Sequence, residues 1–141
     1  MAYSTQDDVL EQLDEISIRQ LTDDAGEGEV DADMVSRAIE DADAAIDAYC
    51  QGRYTLPLSP VPGMVRRISV DIAIYNLFSR KDDVMPETRK ERYENSIRFL
   101  KKVNDGKIDL GANTPAAKTT GNAVNIDYND RIFTRDKMSG F

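Results

Sequence analysis

Residues 46–63, IDAYCQGRYTLPLSPVPG, decide the fold: they carry an apolar helix to its end, a proline-rich stretch, and the start of a second helix. Gly52 is expected to close the first helix, because glycine enters the left-handed cap region without a steric cost. Beyond it, Pro57, Pro60 and Pro62 each remove a backbone donor and push the preceding residue toward extended geometry. About ten residues between the two helices are therefore read as an irregular strap. Tyr49, Tyr54, Leu56 and Leu58 are its candidate packing anchors, and Arg53 is placed to reach a carboxylate or a backbone carbonyl. With Gly52 and Pro57 these residues form the candidate structural hinge.

Upstream of the hinge, Asp31 is a good N-cap for a helix running to about Gln51. Val35, Ala38, Ile39, Ala42, Ile46 and Tyr49 fall on one stripe of it, and Ser36, Arg37, Glu40, Asp41, Asp43 and Asp47 on its wet side. Earlier still, Thr5 and Asp8 read as a capping box for a short helix with Val9, Leu10 and Leu13 as its apolar stripe. Ile16, Ile18 and Leu21 continue the apolar character in a second short turn that Asp14 or Ser17 could cap, so two short helices and one bent helix are equally compatible with the pattern. The stretch 23–31, DDAGEGEVD, invites comparison with a calcium loop. Counted from Asp23, however, the third ligand position is Ala25 and the twelfth is Met34. Two required oxygen donors are missing. It is read as a solvated loop.

Downstream, Pro62 suits the first turn of a helix carrying Val65, Ile68, Val70, Ile72, Ala73, Ile74, Tyr75, Leu77 and Phe78. Apolar residues on all sides predict the most buried helix of the domain, or one whose second face meets another subunit. Asp71 in its middle needs a partner, and a salt bridge to Arg53 or Arg67 is expected. After a polar break at 79–86, Pro86 or Glu87 starts a last helix that ends at Gly106, with Tyr93, Ile97, Leu100 and Val103 as its core stripe. Its outer side is basic, with Arg89, Lys90, Arg92, Arg98, Lys101 and Lys102, but Glu87, Glu91 and Glu94 interrupt it. A Glu94–Arg98 pair one turn apart favours an ordinary solvated face. Residues 107–110 read as an extended exit. Residues 112–141 read as an extended C-terminal arm, with a short strand at 123–126 and with Ile132, Phe133, Arg135 and Phe141 as candidate contacts to a subunit or partner.

The expected fold is mainly α: a small bundle of four to five helices over residues 1–111, with an extended proline-rich strap and a docking arm at 112–141. At 141 residues one domain with a modest core is the natural unit. The sequence holds no histidine and a single cysteine, Cys50, so His-based triads, disulfides within the chain and zinc clusters are excluded. No phosphate-cradling glycine loop appears. Cys50 is read as a small packing residue. No catalytic, cofactor-binding or metal-binding residues are assigned, and the chain is not read as an enzyme. No apolar run approaches the roughly 20 residues of a membrane span. The polar, acidic stretch after Met1 differs from a signal sequence. The expectation is a soluble, unexported protein.

Net charge is −8, which argues against a sequence-reading nucleic-acid binder. The average hides an asymmetry: residues 1–47 carry a net −13 and residues 48–141 a net +5. Such a division suits neutralisation within one chain or a head-to-tail contact between copies. Asp33, Glu40, Asp41 and Asp47 form the candidate acidic channel or interface face.

With these residues in view, the chain resembles a family of small proteins of Mu-like tailed phages and prophages, placed among the head-tail connector, or head completion, proteins. The resemblance lies in YSTQDDV at 3–9, AIEDADAAIDAYCQGRYTLPL at 38–58, the following VPGMVRRISVDIAIYNLF, RYENSIRFLKKVNDGKIDLG at 92–111 and the closing RIFTRDKMSGF at 131–141. IDAYCQGRYTLPL is its most specific element. The resemblance implies a helical adaptor subunit in the virion neck, made in the bacterial host cytoplasm. It implies a homo-oligomeric ring, expected as a dodecamer, between the portal protein and a tail-side neck or tail terminator protein. Genome DNA would pass through the lumen without sequence-specific binding, and no membrane or cofactor is implied. The alternative is a free regulatory or DNA-binding helical module using the basic face of the last helix.

Overall fold

The structure, a computed structural model, describes residues 2–80 and 85–111. It is all helical, with α1 Gln6–Gln12, α2 Glu15–Thr22, α3 Ala32–Cys50, α4 Gly63–Ser79 and α5 Glu87–Asn104, and no strand among the described residues. The helix starts follow from local chemistry. Thr5 Oγ1 accepts the Asp8 amide at 3.2 Å while the Asp8 carboxylate accepts the Thr5 amide at 2.9 Å, a reciprocal box that satisfies two orphan donors. Asp14, rather than Ser17, caps α2, and Asp31 caps α3 through the amides of Asp33 and Met34. Pro62 and Pro86 stand at the N-caps of α4 and α5, where a missing N–H costs nothing.

The core is built around α4. Val65, Ile68, Val70, Ile72, Ala73, Ile74 and Leu77 are all buried, as expected of a helix apolar on every side. It packs most extensively on α3, next on α5, and also touches α1 and α2. α3 contributes the predicted stripe of Val35, Ala38, Ile39, Ala42 and Ile46, and α5 contributes Leu100 and Val103. Tyr75 of α4 and Tyr93 of α5 stack with ring centroids 3.8 Å apart, which adds a directional contact to the burial. No helix among the described residues is long and apolar enough to cross a membrane.

The end of α3 departs from expectation. Gly52 does not enter the left-handed region; among the described residues the glycines with positive φ are Gly26, Gly28, Gly106 and Gly111. Gln51, the C-cap, keeps right-handed geometry, and the amides of Arg53 and Tyr54 both return to the Cys50 carbonyl at 2.9 Å. The helix thus unwinds through overlapping right-handed turns, a closure that needs no left-handed residue. At the end of α5 the glycine signal holds. Gly106 has φ +80°, and a Cβ there would lie 2.6 Å from Arg53 Nη2. The strap's arginine therefore rests on the turn after α5.

Candidate functional site

The strap is anchored as its sequence suggests. Leu58 is fully buried, Tyr54 is buried, and Tyr49 and Leu56 pack partly against the core. Pro57 and Pro60 follow cis peptide bonds. Burying a side chain such as Leu58 contributes about 2 kcal/mol, enough to hold a segment that lacks a regular hydrogen-bond ladder.

Two tyrosine hydroxyls complete the hinge in the same manner, each donating to a carboxylate and accepting a backbone amide. Tyr54 donates to Asp109 at 3.0 Å and accepts the Leu110 amide at 2.8 Å, which ties the strap to the chain leaving α5. Tyr3 donates to Asp47 on α3 at 2.5 Å and accepts the Leu58 amide at 3.1 Å. Burial and the Asp47 hydrogen bond push the Tyr3 phenol up to about 12, so it stays a donor at any ordinary pH. The Tyr3 amide donates to Asp43 Oδ2 at 3.0 Å, Ser69 Oγ donates to Asp43 Oδ1 at 2.7 Å, and Ser4 and Ser69 share a 2.7 Å hydroxyl contact. Asp43, 7% exposed, is a satisfied buried carboxylate; burial nevertheless raises its pKa, against the pull of the Ser69 and Tyr3 donors.

Asp71 is as deeply placed, at 8% exposure, but its surroundings differ. The expected salt bridge is absent. No ion pair within 4 Å reaches Asp71 among the described residues, and Arg53 lies at Gly106 instead. Burial raises the Asp71 pKa, and Arg92, Arg67 and Arg89 oppose that rise only through space. The reason is that two of these arginines are engaged elsewhere. Arg89 Nη2 donates to the carbonyl of Gln12 and Arg92 Nη1 to its side chain at 3.1 Å, clamping the end of α1 onto α5. Arg89 Nη1 is buried without a hydrogen-bond partner. Burial lowers the Arg89 pKa, with help from Arg92. Asp71 and Arg92 face a pocket of about 180 Å³ between α4 and α5, with Met64, Ile68 and Phe99 as apolar walls and Arg67, Asn95 and Ser96 at its polar edge.

The acidic surface lies on other elements. Asp33, Glu40 and Asp41 are exposed along α3, whereas Asp47 is half-buried beneath Tyr3. In the α2–α3 loop the Asp23 carboxylate accepts the amides of Glu27 and Gly28 at 2.8 and 2.7 Å, and these bonds hold its pKa below the usual value. Asp23 thus acts as the loop's own cap, and no group of acids there or elsewhere among the described residues is arranged to hold a metal ion. Arg80 fastens the loop to the end of α4 through Asp24 at 2.5 Å and the Leu21 carbonyl at 2.6 Å.

The chain matches the family model described as Bacteriophage Mu, Gp36 over residues 3–127. It belongs to that family. It is 34% identical over 134 residues to "Mu-like prophage FluMu protein gp36" of Haemophilus influenzae, spanning 94% of this chain and 87% of that protein. It is 29% identical over 144 residues to "Gene product J" of Escherichia phage Mu, spanning 100% of this chain and 99% of the relative. This is a protein of Mu-like phages and prophages.

Within this Gp36-family chain the structure gathers the strap residues into one place and adds Tyr3, Ser4, Asp43 and Ser69 to them. Sequence reasoning missed Tyr3, Ser4 and Ser69, and its placing of Asp43 on the wet side of α3 is corrected: the Tyr3 amide and the Ser69 hydroxyl hold that carboxylate in the interior. The available signal was the pair Tyr3-Ser4 directly before a capping box, since a chain entering a helix at a fixed angle needs an anchor just outside it. The Glu94–Arg98 pair does not form; Arg98 donates to Asn95 at 2.6 Å instead. Burial pushes the Cys50 thiol up to about 11, which suits a packing residue. Ile132, Phe133, Arg135 and Phe141, the 112–141 arm and the strand at 123–126 lie outside the described residues.

Proposed function

We propose that this protein is a structural subunit of the phage particle, a head-tail connector that assembles as a homo-oligomeric ring between portal and tail. The observation that carries the reading is the separation of charge on one helical body. Exposed acids occupy the α2–α3 loop and α3, whereas Arg67, Arg92 and the outer side of α5 are basic. A rigid body with unlike charge on two different patches favours heterologous contacts, which close into rings when the rotation allows. Membership of the Mu Gp36 family supports a role in the particle. Asp33, Glu40 and Asp41, if turned to the lumen, would repel DNA phosphates and let the genome slide. Residues 112–141 would supply further contacts to a neighbouring subunit or to the adjoining ring.

The test is the mass of the purified protein by light scattering, alone and mixed with portal protein. A large discrete species in either sample is expected. A persistent monomer that ignores the portal overturns the reading, and strong, salt-sensitive DNA binding by that monomer would replace it with a DNA-binding module.

A further inference from the structure

The pocket between α4 and α5 is incomplete in its charge. It brings Arg67 and Arg92 to a mouth whose recessed carboxylate, Asp71, is 92% buried and has no hydrogen-bond or ion-pair partner among the described residues. Outside the pocket lining, Arg89 Nη1 is buried and unpaired. Arg89 and Arg92 each also donate to Gln12, but the pocket itself carries two guanidinium groups, Arg67 and Arg92, against one carboxylate. A further carboxylate would balance the excess of positive charge at the mouth. The walls of Met64, Ile68 and Phe99, with Met64 46% exposed, add the mixture of methionine, aromatic and arginine residues that is enriched at the centre of protein interfaces. A carboxylate on a short apolar stem fits this combination, the stem against the walls and the oxygens against the guanidinium groups.

The same chain displays such groups elsewhere. Glu27 and Glu29 are exposed on the α2–α3 loop, whose backbone Asp23 fixes by accepting two of its amides. This loop is fastened through Arg80 to the C-terminal end of α4, while the pocket lies beside Met64, Arg67 and Asp71, along its N-terminal half. At 1.5 Å per residue the pocket residues lie about 14 to 24 Å from Arg80 along the helix. The loop cannot fill its own pocket, but it can fill another's.

We propose that the α4–α5 pocket is a subunit-contact site that receives Glu27 or Glu29 of a second copy of this chain, giving a head-to-tail contact. The contact uses two different patches, so it repeats from copy to copy and propagates the assembly. This inference rests on the ring reading above and assigns the residues through which neighbouring subunits meet.

A charge-reversal cycle on the full chain tests it. One variant carries Arg67→Glu with Asn95→Glu, changes at the exposed mouth that leave an acceptor for Arg98; the other carries Glu27→Lys with Glu29→Lys. Helix content by circular dichroism checks folding, and Arg67→Glu alone, at an exposed residue with no side-chain hydrogen bond among the described residues, serves if the double variant fails to fold. Self-association of either variant, with portal present if the wild type needs it, is expected to weaken by about tenfold to a hundredfold. An equimolar mixture should regain wild-type assembly, because each reversed patch then faces its complement. Unweakened assembly of either variant, or a mixture that fails to recover, overturns the contact while leaving the ring reading in place. A wild-type chain that stays monomeric with and without portal overturns both.

Discussion

Asp43 and Asp71 are the same residue type at nearly the same burial, 7% and 8% exposed, and burial raises the pKa of both. Their surroundings are opposite. Asp43 takes donors from the chain's own Tyr3 and Ser69 and so joins the N-terminal segment, α3 and α4 in one satisfied network. Asp71 takes none and opens instead onto a pocket with arginines around it. A buried carboxylate whose hydrogen bonds are met within the chain stabilises the fold. Asp71 keeps its oxygens open to the pocket instead, where burial penalises the charge with no donor from the chain to offset it.

The sharpest way to break this comparison is Asp43→Ala. It leaves the Tyr3 amide and the Ser69 hydroxyl without their acceptor inside the core, and a loss of about 2–4 kcal/mol is expected, read as a lower urea midpoint. A change below about 0.5 kcal/mol, the size of an ordinary surface substitution, would show that the network is not what holds the N-terminal segment.

Tyr3→Phe comes next. It keeps the ring but strips the buried Leu58 amide of its acceptor and Asp47 of its donor, for an expected loss of about 1–3 kcal/mol. Tyr54→Phe makes the equivalent deletion at the other tyrosine. There Asp109 is exposed and Leu110 only half-buried, so water can replace the hydroxyl and the loss should be smaller. The ratio of the two urea midpoint shifts measures how much of a clamp's strength comes from burial; equal shifts would contradict that dependence.

Asp71→Asn should have the smallest effect and the opposite sign. The folded-state pKa of Asp71 is raised above its ordinary 3.8. Its favourable contribution is therefore full below that value, where the carboxyl is neutral in both states, and is lost as pH rises through the folded value. The wild type is expected to lose stability against Asp71→Asn between mild acid and neutral pH, with the variant equal or more stable at pH 7. Denaturation midpoints of both proteins at several pH values check this. A variant markedly less stable at pH 7 would mean that the surrounding arginines need the Asp71 charge more than burial penalises it.

Much of the molecule was legible because its signals are local. Thr5 with Asp8, Asp31, Pro62, Pro86 and Gly106 announce helix ends through their own backbone chemistry, and the stripes of α3 and α5 follow from helical spacing alone. Gly52 shows the limit of this reasoning. Glycine permits a left-handed cap but does not require one, and the turn after Cys50 closes in right-handed geometry because the strap beyond is already held by Tyr54 and Leu58. Asp71 shows another limit. The sequence predicts Arg53 or Arg67 as its partner, but Arg53 rests at Gly106 and Gln12 holds Arg89 and Arg92, arrangements across some 50 to 80 positions that sequence spacing cannot reveal.

By itself the sequence determined a mainly helical fold of four to five helices, the buried character of α4 and the division of charge between its two parts, since each depends on residue type and short-range periodicity. Only the tertiary structure decided that Tyr3 belongs to the hinge, that Asp47 sits beneath a phenol, and that Asp71 faces a pocket of arginines. These depend on which distant side chains meet once apolar burial has fixed the packing of α3, α4 and α5. Hydrogen bonds then form among whatever polar groups that packing brings together, and those it leaves unpaired mark where another molecule can act.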